Sequence, residues 1–441
     1  MIINNLQDEL KKRENALAII KSIINENGRD ALLDLTGLSG GFEIDKNQFY
    51  LLETYIGSAI FEDQLNSVAK NHLGGEKVLA VNRTSAGILA TILTLIKEDN
   101  YLVHFLQESP SHPSILRSLS LVGGKYIEYE MNEMDMDESN VNNDEMNITG
   151  DSNKVINDVV GDVKPQNDNF NFLEKFFIPE NTDLIVITGS TMDHKVMDEN
   201  NLKKIISIGN EKNIPVFVDD ASGARLRTAI FGQKKAIEMG ADLVITSTDK
   251  LMDGPRAGLM AGKKDLIDKI KIKSNQFGFE AQAPIVLAMI NALNEYNDEF
   301  LISTIKKKDK IYEKLVNNYY FFEKTPTGIL INEDLLKSWI LEFYSDNNNI
   351  DMENYEKLNS YLPSDYSFIL SFLLLKEKKI ITIPAVSMPG ASSTVRFDMA
   401  SNDAKNLDID EFVRKFNGVF SKFIKMIFEH DEVNNLIFGN N

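Results

Sequence analysis

Between residues 78 and 260 the chain repeats one unit: a short apolar run, a turn of small or polar residues, then a stretch with helical spacing. Apolar runs fall at 78–81, 101–105, 126–129, 184–187, 216–218, 243–245 and 257–260. Patterns of helical period fall at 85–97, 114–121, 200–210 and 233–240. Near-continuous apolar runs of this length suit strands buried on both faces, and their alternation with helices predicts a mainly parallel sheet. The expected fold is α/β, with a seven-stranded sheet covered by helices on both sides.

The flanks read differently. Leu6, Leu10, Leu17, Ile20 and Ile23 lie near helical spacing and predict a helix over 4–27, followed by a glycine-rich loop at 34–41. A long helix is expected over 285–296. Beyond about residue 320, strands at 328–331, 380–383 and 394–397 mix with helices at 367–376 and 410–429. The expected division is an N-terminal helix and arm over 1–70, a large domain over 71–285 and a smaller α+β domain over 286–441. Residues 131–170 hold ten acidic and two basic residues and few aromatics, so a disordered surface insertion is expected there.

Composition removes several function classes. The 441 residues carry a formal net charge of −19, which argues against a wide nucleic-acid grip. With no cysteine there is no disulfide, thiolate metal site or cysteine nucleophile. The five histidines include no pair at the spacing of a metal site on one helix face, so no metal is expected. No apolar stretch is long enough to span a bilayer, and the first residues lack the pattern of a secretory signal. A cytoplasmic protein is expected.

Chemistry concentrates where strands end. The run at 243–245 continues through Thr246, Ser247 and Thr248 to Lys250, then Gly254, Pro255 and Arg256. An amine behind small hydroxyls at a sheet edge suits a Schiff base beside a phosphate. The run at 216–218 ends in Asp219 and Asp220, then Ala221, Ser222 and Gly223. Twin carboxylates there need a cationic partner. A carboxylate on a pyridine nitrogen would keep that nitrogen protonated, with Asp219 the better candidate and Ala221 small enough to lie under a flat ring. Ser85, Ala86 and Gly87 open a helix after the first run, where free amides suit a phosphate. His112 follows the second run and could stack on a ring. Neither a dinucleotide fingerprint nor a P-loop occurs.

Taken with their order along the chain, Val218-Asp219-Asp220-Ala221-Ser222-Gly223 and Ser247-Thr248-Asp249-Lys250 resemble the fold-type I enzymes that use pyridoxal 5′-phosphate. The stretch 242–258 is most similar to bacterial selenocysteine synthase (L-seryl-tRNA selenium transferase) and its archaeal relatives. The resemblance spans roughly 30–130 and 180–400.

It implies pyridoxal phosphate held by Lys250 as a Schiff base, with Asp219 on the ring nitrogen. Ser85, Ala86, Gly87 and Ser247 would take the phosphate, His112 would stack on the ring, and Ala221 and Ser222 would line the cofactor site. Arg396 would grip a substrate carboxylate, a bidentate task suited to guanidinium. The implied activity is elimination, replacement or a related lyase or transferase reaction at Cα of a small amino acid, in a homodimer or larger homo-oligomer. An aminotransferase or aldolase, and a binding scaffold with little catalysis, are the alternatives. The bacterial enzyme's separate N-terminal tRNA-binding domain has no counterpart in the helix and loop before residue 71, so a tRNA substrate is not expected.

Overall fold

The computed structural model describes residues 2–3, 5–39, 41–53, 55–108, 111–131, 176–346, 351–386 and 393–439. The expected acidic insertion lies, from residue 132 onward, outside the described residues. A short strand β1 (Leu33–Asp34) follows the first helix, Leu6–Asn27. Next come β2 (Lys77–Val81), β3 (Tyr101–Leu106), β4 (Lys125–Glu130), β5 (Thr182–Thr188), β6 (Val216–Asp219), β7 (Leu243–Ser247) and β8 (Gly258–Gly262). Among the described residues these seven form one sheet in the order β2-β8-β7-β6-β5-β3-β4. Each expected run became a strand. Only β8 runs against its neighbours, pairing antiparallel with β2 and β7.

Parallel strands place their carboxyl ends along one edge, where open α/β sheets bind ligands. That edge here carries Val81 and Ser247, both paired with Gly258, and the row Thr188, Asp219 and Ile245. Side chains alternate between two buried layers. Leu184, Val186, Phe217 and Ile245 join one apolar cluster, and Ile185, Ile187, Val218 and Val244 the other. Helices Thr84–Leu95, Pro113–Val122 and Lys264–Phe277 cover the first layer. Glu62–Leu73, Glu199–Lys212 and Ala283–Glu295 cover the second.

A third core is built from β9 (Phe322–Lys324), β10 (Gly328–Ile331), β12 (Val395–Asp398) and the helices Asp298–Val316, Pro363–Lys378 and Ile409–Met426. β12, β10 and β9 form an antiparallel sheet, and β11 (Ile380–Ile381) pairs in parallel with β1. The N-terminal helix buries Ala16 and Ile23 in this same core rather than against the large sheet.

Two expected elements differ. The helix read over 233–240 is a single 3-10 turn, Ile237–Met239. Arg227 takes the Gln233 side chain and the Lys234 carbonyl as acceptors, which draws that stretch away from helical bonding. The strand read over 380–383 stops at Ile381, because Pro384 sits at the start of a short helical turn, Ile383–Val386.

Candidate active site

The site is assembled by three loops at the carboxyl edge and by β12. β7 is buried throughout and delivers Thr246 and Ser247 to that edge, followed by Lys250. Thr248 turns back, donating from Oγ1 to the Pro255 carbonyl at 2.6 Å, while its amide donates to Ala257 O at 3.0 Å. Ser247 Oγ donates to Asp249, whose other oxygen meets Arg256 Nε at 3.1 Å. Lys250 is partly buried, and its amine lies 3.7 Å from the Met192 sulfur. Burial pulls the lysine pKa below its ordinary value, against the pull of Asp219 and Asp249 and with that of Arg396 and Arg83. An amine so placed is more readily neutral, as a nucleophile toward a carbonyl must be.

Asp219 and Asp220 have separate tasks. Asp220 is bound side-on by Arg227, with Nε 3.0 Å from Oδ1 and Nη2 on Oδ2, both side chains fully buried. Asp219 accepts one backbone amide, that of Ala221, at 3.3 Å. Desolvation pushes its pKa up to about 6, Asp220 adds to the rise, and Lys250 opposes it. The carboxylate facing the lysine is the one that Arg227 leaves free. Ala221 ties this bend to β7 by accepting the Ser247 amide at 3.0 Å, and Ser222 Oγ lies 2.8 Å from Ser190 Oγ.

The helix Thr84–Leu95 points its N-terminus at the same place. Arg83 is its N-cap and supplies no side-chain cap. The amides of Ala86 and Gly87 donate to the Arg83 carbonyl at 3.0 and 3.2 Å, so the open donors are those of the first turn ahead of them. Gly87 has a packing reason to be glycine: a Cβ there would lie 2.4 Å from Ile245 Cδ1. A Cβ on Gly258, the partner of Ser247, would lie 2.9 Å from the Thr84 amide nitrogen. The helix end and Ser247 are therefore adjacent on the edge.

His112 sits after β3 as the N-cap of Pro113–Val122. Its Nδ1 accepts from the Ser114 amide and lies 2.7 Å from Ser114 Oγ. Its ring is thus oriented by its own helix. Arg396, on β12, donates from Nη2 to Thr36 O at 3.1 Å and from Nη1 to Met192 O, with Asp398 3.6 Å from Nε. Its Nε is buried without an acceptor.

Sequence reasoning passed over the residues that tie these parts together. Met192 and His194 belong to a tight excursion closed by pairing of Ser190 with Val196. His194 is buried, with Nδ1 3.4 Å from Thr327 Oγ1 and 3.8 Å from Asp398. Burial, Arg396 and Lys250 hold it neutral. Behind Asp219, Thr188 meets a second buried histidine, His104, at 2.8 Å, and that ring meets Tyr126 OH at 2.8 Å. Burial takes His104 down to about 4. Only the Asp220–Arg227 pair had a readable signal, since twin carboxylates call for a cation.

The residues fit a phosphorylated aromatic aldehyde: an amine with no hydrogen-bonded carboxylate, a lone buried carboxylate, and an uncapped helix end on one edge. Sheet order, edge and lysine together define a fold-type I, aspartate aminotransferase-like architecture. A solved aminotransferase, described as a PLP-dependent aminotransferase from Streptococcus suis, shares that fold at TM-score 0.54 and 15% identity, covering 93% of this chain and 97% of that one.

The chain belongs to the UPF0425 family of pyridoxal phosphate-dependent proteins. It is 41% identical to the member from Methanosphaera stadtmanae over 96% of this chain and 97% of that protein. It is 41% identical to the member from Methanothermobacter thermautotrophicus over 92% of each. The UPF0425 C-terminal domain matches residues 318–408, and L-seryl-tRNA selenium transferase matches residues 177–306.

Proposed function

We propose that this chain is a pyridoxal-phosphate enzyme that carries its cofactor on Lys250 and works at Cα of a small amino acid. The observation that carries the reading is the gathering of Lys250 and Asp219 at one edge of the sheet: a partly buried amine within electrostatic reach of a carboxyl that Arg227, bound to Asp220, leaves free. When bound, pyridoxal phosphate supplies a sink for the electron pair released at Cα. Asp219 would hold a proton on the ring nitrogen, a role suited to a carboxyl that burial pushes up to about 6. The helix start at Ser85, Ala86 and Gly87 would take the phosphate on the amides of its first turn ahead of Ala86, whose own amide and that of Gly87 serve the Arg83 carbonyl. Ser247 would add its hydroxyl by turning it from Asp249. His112, Ala221 and Ser222 would line the cofactor site, with the His112 ring available for stacking. Arg396 would offer a substrate carboxylate the Nη hydrogens that the Met192 and Thr36 carbonyls leave unused, since its Nε is buried against Asp398. Once the substrate's amino group has displaced it from the cofactor, the freed Lys250 amine would take and return the Cα proton.

The reaction class we favour is elimination or replacement, because the selenium-transferase match covers β5 to β8 and the lysine. A nucleic-acid substrate is not part of this reading, given the net charge of −19. The expected division at residues 70 and 285 shifts: we read a large cofactor domain that runs from about residue 71 through the helix Ala283–Glu295, and a small domain from Asp298 onward that the N-terminal helix Leu6–Asn27 joins. A homodimer or larger homo-oligomer would cover the exposed Phe49, Tyr50, Tyr55 and Ile56. Among the described residues no helix is long and apolar enough to cross a membrane; we place the protein in the cytoplasm.

A panel of amino acids mixed with the loaded protein tests the reaction class. Keto acid and ammonia released together, with no amino acceptor present, are the expected result. Transfer of the amino group to an added keto acid would assign an aminotransferase instead.

A further inference from the structure

The turn that presents Lys250 is held by a buried cation with no task in the chemistry above. Arg225 lies in the short helical turn Gly223–Arg225 and is 5% exposed. Its Nη1 lies 2.8 Å from the Ser247 carbonyl, 3.1 Å from the Lys250 carbonyl and 3.3 Å from Thr246 Oγ1. One nitrogen therefore joins the last residue of β7 to the lysine three residues on. No carboxylate lies within hydrogen-bond reach of this guanidinium among the described residues; it packs over the Tyr296 ring, 5.6 Å from the centroid. Burying a charge is costly unless hydrogen bonds offset it, and here those bonds go to the lysine turn.

The turn needs such restraint. Leu251, next after the lysine, is buried and has φ of 60°, a left-handed conformation. A non-glycine residue held there is strained and persists only where its surroundings over-determine it. From the opposite side, the Ser39 amide donates to Asp249 O at 2.8 Å and Leu38 pairs with Lys250. Arg225 and the 38–39 segment grip the turn between them.

We propose that Arg225 is a positioning residue for Lys250: it fixes the lysine carbonyl, and with it the direction in which the side chain leaves the backbone. Arg225 touches neither the amine nor a bound group. The proposal rests on Lys250 being the attachment point, so its test has an arm that does not.

Arg225→Gln and Arg225→Lys are made in the full chain and followed by amide hydrogen exchange without cofactor. Arg225→Gln is expected to speed exchange over 248–254 by about tenfold while Pro363–Lys378 stays as protected as in the parent. Arg225→Lys, which keeps charge and reach to one carbonyl, is expected to fall between. With pyridoxal phosphate added, the pH midpoint of the visible band is expected to move in Arg225→Gln and return part-way in Arg225→Lys.

Unchanged exchange and midpoint in both variants would overturn the proposal. So would exchange that rises equally in Pro363–Lys378, which would mark a general stabiliser. Should the parent form no visible band, the functional reading fails, and the exchange arm alone decides the role of Arg225.

Discussion

Asp220 and Arg227 form a side-on ion pair with side chains 1% and 0% exposed, and this pair decides which of two adjacent carboxylates faces Lys250. Gly189 and Gly223 make room for it: a Cβ on either would lie 1.8 or 2.2 Å from Asp220 Oδ1. Removing one partner of a buried pair leaves an uncompensated charge. Arg227→Ala is therefore expected to destabilise the protein by about 3–5 kcal/mol in denaturant titration. Arg227→Met combined with Asp220→Leu is expected to recover most of that loss. Gly189→Ala should behave like Arg227→Ala.

Asp219 gives a pH signature. Its folded pKa of about 6 stands above the ordinary 3.8, so the folded state binds the proton more tightly than the unfolded chain. The sign follows: stability falls as pH rises from about 4 to about 6, and the loss persists above that window. Cofactor-free Asp219→Asn is expected to match the parent near pH 4 and to exceed it at pH 7.5, by no more than about 3 kcal/mol. Its affinity for pyridoxal phosphate is expected to fall at pH 7.5. Thermal midpoints at the two pH values, with and without cofactor, check both signs.

The helix end at Arg83 depends on close approach of helix to sheet. Gly87→Ala places a methyl 2.4 Å from Ile245 Cδ1 and 2.9 Å from the Met260 sulfur. Overpacking of this kind costs roughly 1–3 kcal/mol and moves the helix outward. The variant is expected to bind inorganic phosphate and pyridoxal phosphate more weakly by comparable factors, measured by calorimetry, if the same helix end serves both as proposed.

Much of this was legible in the sequence where burial dictates pattern. Apart from the edge strand β4, the strands β2 to β8 are largely buried, so their apolar runs stand out; so do Asp219 and Lys250, polar residues closing such runs. The antiparallel direction of β8 left no trace, because direction is set by the connection and not by side-chain pattern. The 233–240 segment misled for a tertiary reason: Arg227 engages the Gln233 side chain and the Lys234 carbonyl. Met192, His194 and Arg225 come to the lysine across 58, 56 and 25 positions of chain, separations that no local pattern encodes.

The most direct test of the account is borohydride reduction of the protein loaded with pyridoxal phosphate, followed by peptide mass analysis. The account predicts a visible band that reduction removes, a reduced pyridoxyl group on the peptide containing Lys250, and neither in a folded Lys250→Ala variant. A label on another lysine, or a band that survives in Lys250→Ala, would contradict it.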